Sequence, residues 1–200
     1  MKKHNMKIIY IMGKSSAGKD TIHKILKEKI NVNSYVLYTT RPIRAGEKEG
    51  VDYNYITDEV MKKYFQDEDS KIIESRTYNT VYGPWTYATI LDNQFLFEKD
   101  LLMTGTLESY NQIREYFKSR DDIKIIPIYI EVEDGVRLER ALKREKEQSS
   151  PKYVELCRRF IADSKDFSEE NINKSGIKIR FQNNNLDNCI DEIIKYLENI

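Results

Sequence analysis

The hydrophobic positions of this chain change rhythm several times. Lys7–Met12 (KIIYIM) is a short apolar run rich in β-branched residues, the pattern of a buried strand. From Lys19 the apolar residues Ile22, Ile25, Leu26 and Ile30 recur at helical spacing, so a helix follows the strand across a glycine-containing turn. Tyr35–Thr39 predicts a second strand. From Thr40 to about Asp92 the pattern breaks up. Pro42, Gly46, Gly50, Gly83 and Pro84 punctuate short, tyrosine-rich, strand-like pieces, which predicts an inserted sub-region that adds little to a central sheet.

The alternation then returns. Leu101–Met103 predicts a short strand and Leu107–Phe117 a helix. Lys124–Val132 (KIIPIYIEV) is the clearest central strand, although Pro127 inside it calls for a strand start, a bulge or an edge. Asp134 is the expected N-cap of a helix to about Glu147, and Pro151–Phe167 predicts another. Lys178–Gln182 reads as the last strand and Leu186–Leu197 as an amphipathic closing helix. Strands alternating with helices predict an α/β fold, a three-layer sandwich with a mostly parallel central sheet. We expect one domain over residues 1–200, its core at about 1–39, 93–136 and 168–200. The insert then covers about 40–92 and a helical segment about 137–167.

Charge narrows the partners. Thirty-three Lys plus Arg balance 33 Asp plus Glu, and a chain with no basic excess is a poor match for a nucleic-acid backbone. No apolar stretch approaches the length of a membrane span, and the run after Met1-Lys2-Lys3 is too broken for a signal peptide. Cys157 and Cys189 are too few for a disulfide framework and read as free thiols of a reducing compartment. A cytoplasmic protein is expected, a monomer or homodimer, with neither nucleic acid nor membrane as partner.

Gly13-Lys14-Ser15-Ser16-Ala17-Gly18-Lys19-Asp20 has the spacing of a phosphate-binding loop, between a strand and a helix as such a loop requires. Glycines let backbone N–H groups approach phosphate oxygens, the helix N-terminus adds partial positive charge, and Lys19 reaches the β- and γ-phosphates. A nucleoside triphosphate, ATP as phosphoryl donor, is therefore expected there with Mg²⁺. The residue after Lys19 departs from the pattern, being Asp20 rather than Ser or Thr, with Thr21 next. Asp20 is either a hard ligand for Mg²⁺ or a partner of the helix dipole. Thr21 offers its hydroxyl to an α-phosphate.

Arg41 and Arg44 lie three residues apart on a Pro- and Gly-containing loop. With hydroxyls from Thr39, Thr40, Tyr53 and Tyr82 they either form a site for a phosphate monoester or are incidental surface arginines. Farther on, Arg137, Arg140 and Arg144 share one helical face, which is either a solvated stripe or a second set of phosphate contacts.

Motifs in this order resemble the guanylate kinase family. The chain carries Thr39-Thr40-Arg41-Pro42-Ile43-Arg44-Ala45-Gly46-Glu47, Gly50-Val51-Asp52-Tyr53, Ile72-Ile73-Glu74 and Tyr82-Gly83 behind its phosphate loop. More loosely, Cys157-Arg158-Arg159-Phe160 is similar to the second lid helix and Asn183–Asp187 to the loop beside the donor base. The resemblance implies that Arg41, Arg44, Tyr53 and Tyr82 hold the acceptor's phosphate and that Glu74 faces the N1/N2 edge of a guanine. It also implies a lid carrying Arg140, Arg144 and Arg159 over the moving phosphoryl group, and a donor site completed by Asn183.

Two departures concern the base. Pro84 follows Tyr82-Gly83 where the family has Ser or Thr, and Leu101-Leu102-Met103-Thr104-Gly105-Thr106 replaces an acidic strand end, leaving Thr104 as the expected substrate contact. Trp85 is either an apolar or stacking wall or simple packing beside Pro84. The resemblance implies transfer from ATP·Mg²⁺ to GMP or dGMP. The competing readings are a kinase of another small phosphate, such as a ribose bisphosphate, and a non-catalytic interaction module, against which the intact Lys19 loop argues.

Overall fold

The computed structural model describes residues 5–44, 46–67, 71–96 and 98–200. The Met1-Lys2-Lys3 opening lies outside them. The chain starts with β1 (Met6–Met12), α1 (Lys19–Lys29) and β2 (Asn33–Ser34). It continues through β3 (Tyr38–Thr39), β4 (Asn54–Tyr55), α2 (Asp58–Gln66), β5 (Ile72–Thr80) and β6 (Gly83–Ile90). Then come β7 (Leu101–Gly105), α3 (Leu107–Tyr116), β8 (Ile123–Glu131), α4 (Asp134–Lys146) and α5 (Tyr153–Asp166). The last elements are α6 (Glu169–Lys174), β9 (Arg180–Gln182) and α7 (Leu186–Glu198).

Five strands form the central sheet in the order β2-β7-β1-β8-β9, every pair parallel. Alternation along β1 shows why. Ile8, Tyr10 and Met12 enter one apolar cluster with Leu107, Tyr110 and Ile113 of α3, while Ile9 and Ile11 enter another with Ile22 and Leu26 of α1 and Ile190 and Ile193 of α7. A strand buried on both faces has to be apolar throughout, and helices on both sides make the three layers. Pro127 is tolerated because β9 covers only Tyr129–Glu131 of β8. Glu131 O accepts from Asn183 N on the β9 side, and the period of two turns Pro127 toward that same side, before β9 begins.

The expected strand Tyr35–Thr39 is not one strand. Asn33–Ser34 joins the central sheet, Tyr38–Thr39 joins a second sheet, and the apolar stretch between is the crossing point, with Tyr35 and Leu37 buried. The second sheet, β4-β3-β6-β5, is larger than the broken pattern suggested. Its long antiparallel hairpin β5–β6 turns at Val81-Tyr82, and α2, capped by Thr57 through Val60 N, covers one face. Met61, Ala88 and Ile90 fill that small core. Helix α4 is capped by Glu133 rather than Asp134, because the Asp134 carboxylate is bonded to Lys14 and Arg137. Among the described residues no helix is long and apolar enough to cross a membrane.

Candidate active site

The phosphate loop begins where β1 leaves the sheet. At Gly13 a Cβ would collide with the Ile130 carbonyl of β8, and at Gly18, where φ is 94°, with the Asn183 side chain. Only glycine fits either approach. Lys19 Nζ folds back to donate to Gly13 O at 2.8 Å and Lys14 O at 3.0 Å. Desolvation by burial lowers its pKa against the pull of Asp20 and Asp163. A cleft of about 150 Å³ opens here, lined by Ser16, Gly18, Lys19, Asp20, Thr21, Arg140 and Arg144.

The basic face of α4 divides into two roles. Arg137 is 1 % exposed; it donates to Ser15 O at 2.9 Å and to Asp134 Oδ1 at 2.8 Å, and lies 4.7 Å over Phe160. It is a fastener of the fold. Arg140 and Arg144 point at the loop region instead, donating to Asn183 O at 3.2 Å and Ser16 Oγ at 3.3 Å. From α5, Asp163 accepts the Ser15 N–H at 2.7 Å, so both helices are tied to the loop's backbone. Arg159 of α5 is held below its ordinary pKa by burial and by two neighbouring cations, Arg44 and Arg144. Its Nε is buried without a hydrogen-bond partner. Like charges from three segments thus act on one another here, only partly offset by Glu155, whose Oε1 is 3.9 Å from Arg159 Nε, and a further anion would relieve the remaining repulsion.

The second sheet supplies the facing wall. Cross-strand pairs Glu74/Thr89, Arg76/Tyr87 and Tyr78/Trp85 share the face away from α2. A bulge between Ile72 and Glu74 sets this up: Ile72 packs on the α2 side, Ile73 in the main core, and Glu74 turns to the open face. Tyr87 meets Tyr53 and Tyr78 edge-on at 5.7 and 5.8 Å. Arg41 lies 5.2 Å over Tyr53. Burial raises the Tyr53 phenol's pKa, and the charges of Tyr87 and then Asp20 raise it further.

Sequence-derived candidates fall into groups. Gly13, Ser15, Ser16, Ala17, Gly18, Lys19, Asp20, Thr21, Arg140 and Arg144 come together at the loop. Arg41 is on the facing wall but 3 % exposed, bound to Glu47 through Nη1 at 3.0 Å and Nη2 at 2.9 Å. Arg44 is the more open arginine of that loop, its backbone N–H on Glu47 Oε2 at 2.8 Å. Glu74 is 2 % exposed and paired with Arg76. Tyr82 is 53 % exposed, stacked on Trp85 with Lys152 Nζ 4.5 Å over its ring, a contact to the helical segment. Asn183 is bonded through Nδ2 to Ala17 O at 2.8 Å, so its side chain shapes the loop. Thr104 pairs its hydroxyl with His23 Nδ1 at 2.7 Å, and His23 Nε2 reaches Ser34 Oγ at 2.6 Å.

Sequence reasoning missed Arg76, Tyr87, Asp163 and His23. Strand spacing alone puts Arg76 beside Glu74, since residues two apart on a strand share a face. Nothing local announces the bonds of Asp163 to Ser15 and of His23 to Thr104, partners 148 and 81 residues away. For Mg²⁺ the donor set is Asp20 alone, exposed at the cleft mouth; among the described residues no group of three or more His, Cys, Asp or Glu is placed to hold a metal. One carboxylate fits an ion that keeps waters and takes its other ligands from phosphates.

A family model described as guanylate kinase matches residues 5–200. A guanylate kinase of Fusobacterium nucleatum is 39 % identical over 59 residues, 30 % of this chain and 32 % of the relative. One of Coxiella burnetii is 31 % identical over 170 residues, 84 % of this chain and 78 % of the relative. The chain spans about half the length of other curated relatives it matches, 54 to 56 %. The crystal structure of guanylate kinase from Anaplasma phagocytophilum shares the fold, with a TM-score of 0.66, 21 % identity, and coverage of 99 % of this chain and 87 % of that one. With the family model running almost end to end over a phosphate loop and its facing arginines, the chain belongs to the guanylate kinase family.

Proposed function

We propose that this protein transfers the γ-phosphoryl group of ATP to a nucleoside monophosphate, GMP or dGMP, giving ADP and the diphosphate, as a cytoplasmic enzyme acting on small-molecule nucleotides. One observation carries the reading. Arg44, Arg144 and Arg159 converge beside the Lys19 loop, and the buried Arg159 Nε, with no hydrogen bond among the described residues, has only a long ion pair to Glu155 at 3.9 Å. Such a cluster fits a transferring phosphoryl group, for which positioning and charge neutralisation are most of catalysis.

The donor's phosphates lie on the loop from Gly13 to Thr21, with Lys19 leaving its carbonyl partners to reach them. Asp20 would help hold a Mg²⁺ ion beside those phosphates, and that ion would supply further neutralisation of their charge. Arg44 is the arm that takes the acceptor's phosphate. Arg41, locked to Glu47, holds the shape of Arg44's loop, and Tyr53 borders the same site. Helices α4 and α5 act as a lid that brings Arg140, Arg144 and Arg159 over the transfer point and excludes water. No general base is needed, because the attacking phosphate oxygen is already anionic.

The test is ADP formation with ATP, Mg²⁺ and separate acceptors: GMP, dGMP, AMP, UMP and ribose phosphates. GMP or dGMP is expected to give the highest kcat/KM. Turnover of a sugar phosphate with none on GMP would overturn the proposal.

A further inference from the structure

Helix α5 carries a buried carboxylate one turn before Arg159. Glu155 is 2 % exposed, and Arg158 donates to both of its oxygens, through Nη2 to Oε1 at 2.7 Å and through Nε to Oε2 at 2.8 Å. Two parallel bonds of this kind fix the plane of a carboxylate as well as its place. Burial alone would raise the Glu155 carboxyl, but hydrogen bonds from Arg158, the charges of Arg158 and Arg159, and a backbone hydrogen bond from Val81 outweigh it and hold it below its ordinary pKa. Val81 and Tyr82 form the tip of the β5–β6 hairpin, and Lys152 Nζ lies 4.5 Å over the Tyr82 ring. Lys152 N in turn donates to Glu145 Oε1 of α4 at 2.6 Å. Glu155 therefore stands where the acceptor sheet meets the start of α5. Its Oε1 is 3.9 Å from Arg159 Nε, too far for a hydrogen bond and close enough for attraction between charges. That Nε is buried, while the Arg159 side chain as a whole keeps 22 % exposure.

We infer that Glu155 is a positioning residue for phosphoryl transfer: clamped by Arg158 and the hairpin tip, it holds Arg159 by charge alone and leaves that arginine's terminal donors to the moving phosphoryl group. This rests on the function proposed above. Two demands on a transfer arginine conflict. Its value lies in charge that is already in place when the reaction begins, so it has to be held still. A hydrogen-bonded salt bridge that held it would take donors the phosphoryl oxygens need. A carboxylate just beyond hydrogen-bond reach, gripping from the buried Nε side, meets both demands. The grip is needed because the charges of Arg44 and Arg144 act against Arg159. Arg158 keeps Glu155 from closing the gap, since it has already set the plane of the carboxylate. The bond from Val81 ties the same carboxylate to the acceptor sheet, so the transfer arginine is registered against the acceptor side as well as against its own helix.

The test is a double-mutant cycle on kcat, with ATP·Mg²⁺ and whichever of GMP and dGMP the wild-type protein turns over faster. Glu155→Gln keeps the shape of the side chain and removes its charge. It is expected to lower kcat by about 30-fold and to leave the KM of both nucleotides within about threefold, the mark of a contact made in the transition state. Arg159→Met is expected to lower kcat by roughly 10²-fold or more. Adding Glu155→Gln to Arg159→Met should cost less than about threefold further, because a residue that acts through Arg159 then has nothing to act on, whereas a merely structural loss would add in full. Folding of each variant is checked by circular dichroism melting. If Glu155→Gln does not fold, Glu155→Asp carries the same cycle: it keeps the charge but withdraws it by one methylene, and kcat should fall by about fivefold. A kcat for Glu155→Gln within about threefold of wild type, or an equal loss with and without Arg159, overturns the inference and leaves the kinase reading standing. A wild-type protein that phosphorylates neither GMP nor dGMP removes both.

Discussion

The phosphate loop and the acceptor wall are both polar sites, and they are assembled in opposite ways. The loop is nine consecutive residues, Gly13–Thr21, whose binding groups are mostly backbone, set by two glycines and one lysine. The wall takes single side chains from β5, β6 and the loops that carry Arg41 and Tyr53, and most of its charged members are already paired with one another: Arg41 with Glu47, Glu74 with Arg76. The loop is thus a cradle that tolerates change in its surroundings. The wall is a network in which altering one member re-aims another, because a buried charge left without its partner is costly. Specificity belongs to the second kind of site.

The sharpest way to break the comparison is Lys19→Ala. Its ammonium lies at the mouth of the loop, among carbonyls it exchanges for phosphate oxygens. We expect kcat to fall by roughly 10³-fold, about 4 kcal/mol of transition-state stabilisation, with the melting temperature little changed. A rate within tenfold of wild type would remove the loop from the chemistry.

Arg44→Ala probes the wall more gently. Its charge acts against that of Arg159, and among the described residues no carboxylate pairs with its side chain, so removing it relieves repulsion in the free protein. The acceptor KM should rise by about 10²-fold, the worth of one charge-assisted contact, while the KM for ATP stays within threefold. Equal loss on both substrates would mean that Arg44 belongs to the donor side. The same logic predicts that Arg41→Ala also loosens the loop itself, since Glu47 would lose its bidentate partner and keep only Tyr55 and the Arg44 amide.

What was legible in the sequence follows this division. Strand, glycine turn and helix announced the loop because its groups are contiguous, and the short apolar run Lys7–Met12 announced a buried strand. Glu74 was legible only through resemblance, and its pairing with Arg76 was not seen, although strand spacing places both on one face. The tyrosine-rich stretch hid a four-stranded sheet because its strands face α2 on one side and polar groups on the other, so no long apolar run marks them. Arg137 shows the limit of periodicity. It shares a helical face with Arg140 and Arg144, yet Asp134, Ser15 and Asp163 turn it inward.

The two regions should also part on acidification, and here the expected effect is smallest. His23 of α1 bridges Ser34 and Thr104 beneath the loop, and burial drives its pKa down to about 4 against the opposing charge of Asp20. The fold therefore favours the neutral imidazole. Its stabilisation is complete above the unfolded value near 6.5 and is lost as pH falls through the window from about 6.5 to 4. On the acceptor wall burial alone would raise Glu47, but hydrogen bonds from Arg41, Tyr55 and the Arg44 amide outweigh it and hold the carboxyl below its ordinary value. That carboxylate stabilises at every pH above the ordinary carboxylate range and weakens only below it. The donor side should therefore loosen first. Urea titrations at pH 7 and pH 5 are expected to differ by about 2 kcal/mol, and His23→Gln, which keeps two hydrogen-bonding ends without a titrating proton, should remove most of that difference. If the variant loses stability between pH 7 and pH 5 as the wild type does, the acid sensitivity lies elsewhere, and the loop's scaffold is no more pH-dependent than the wall that faces it.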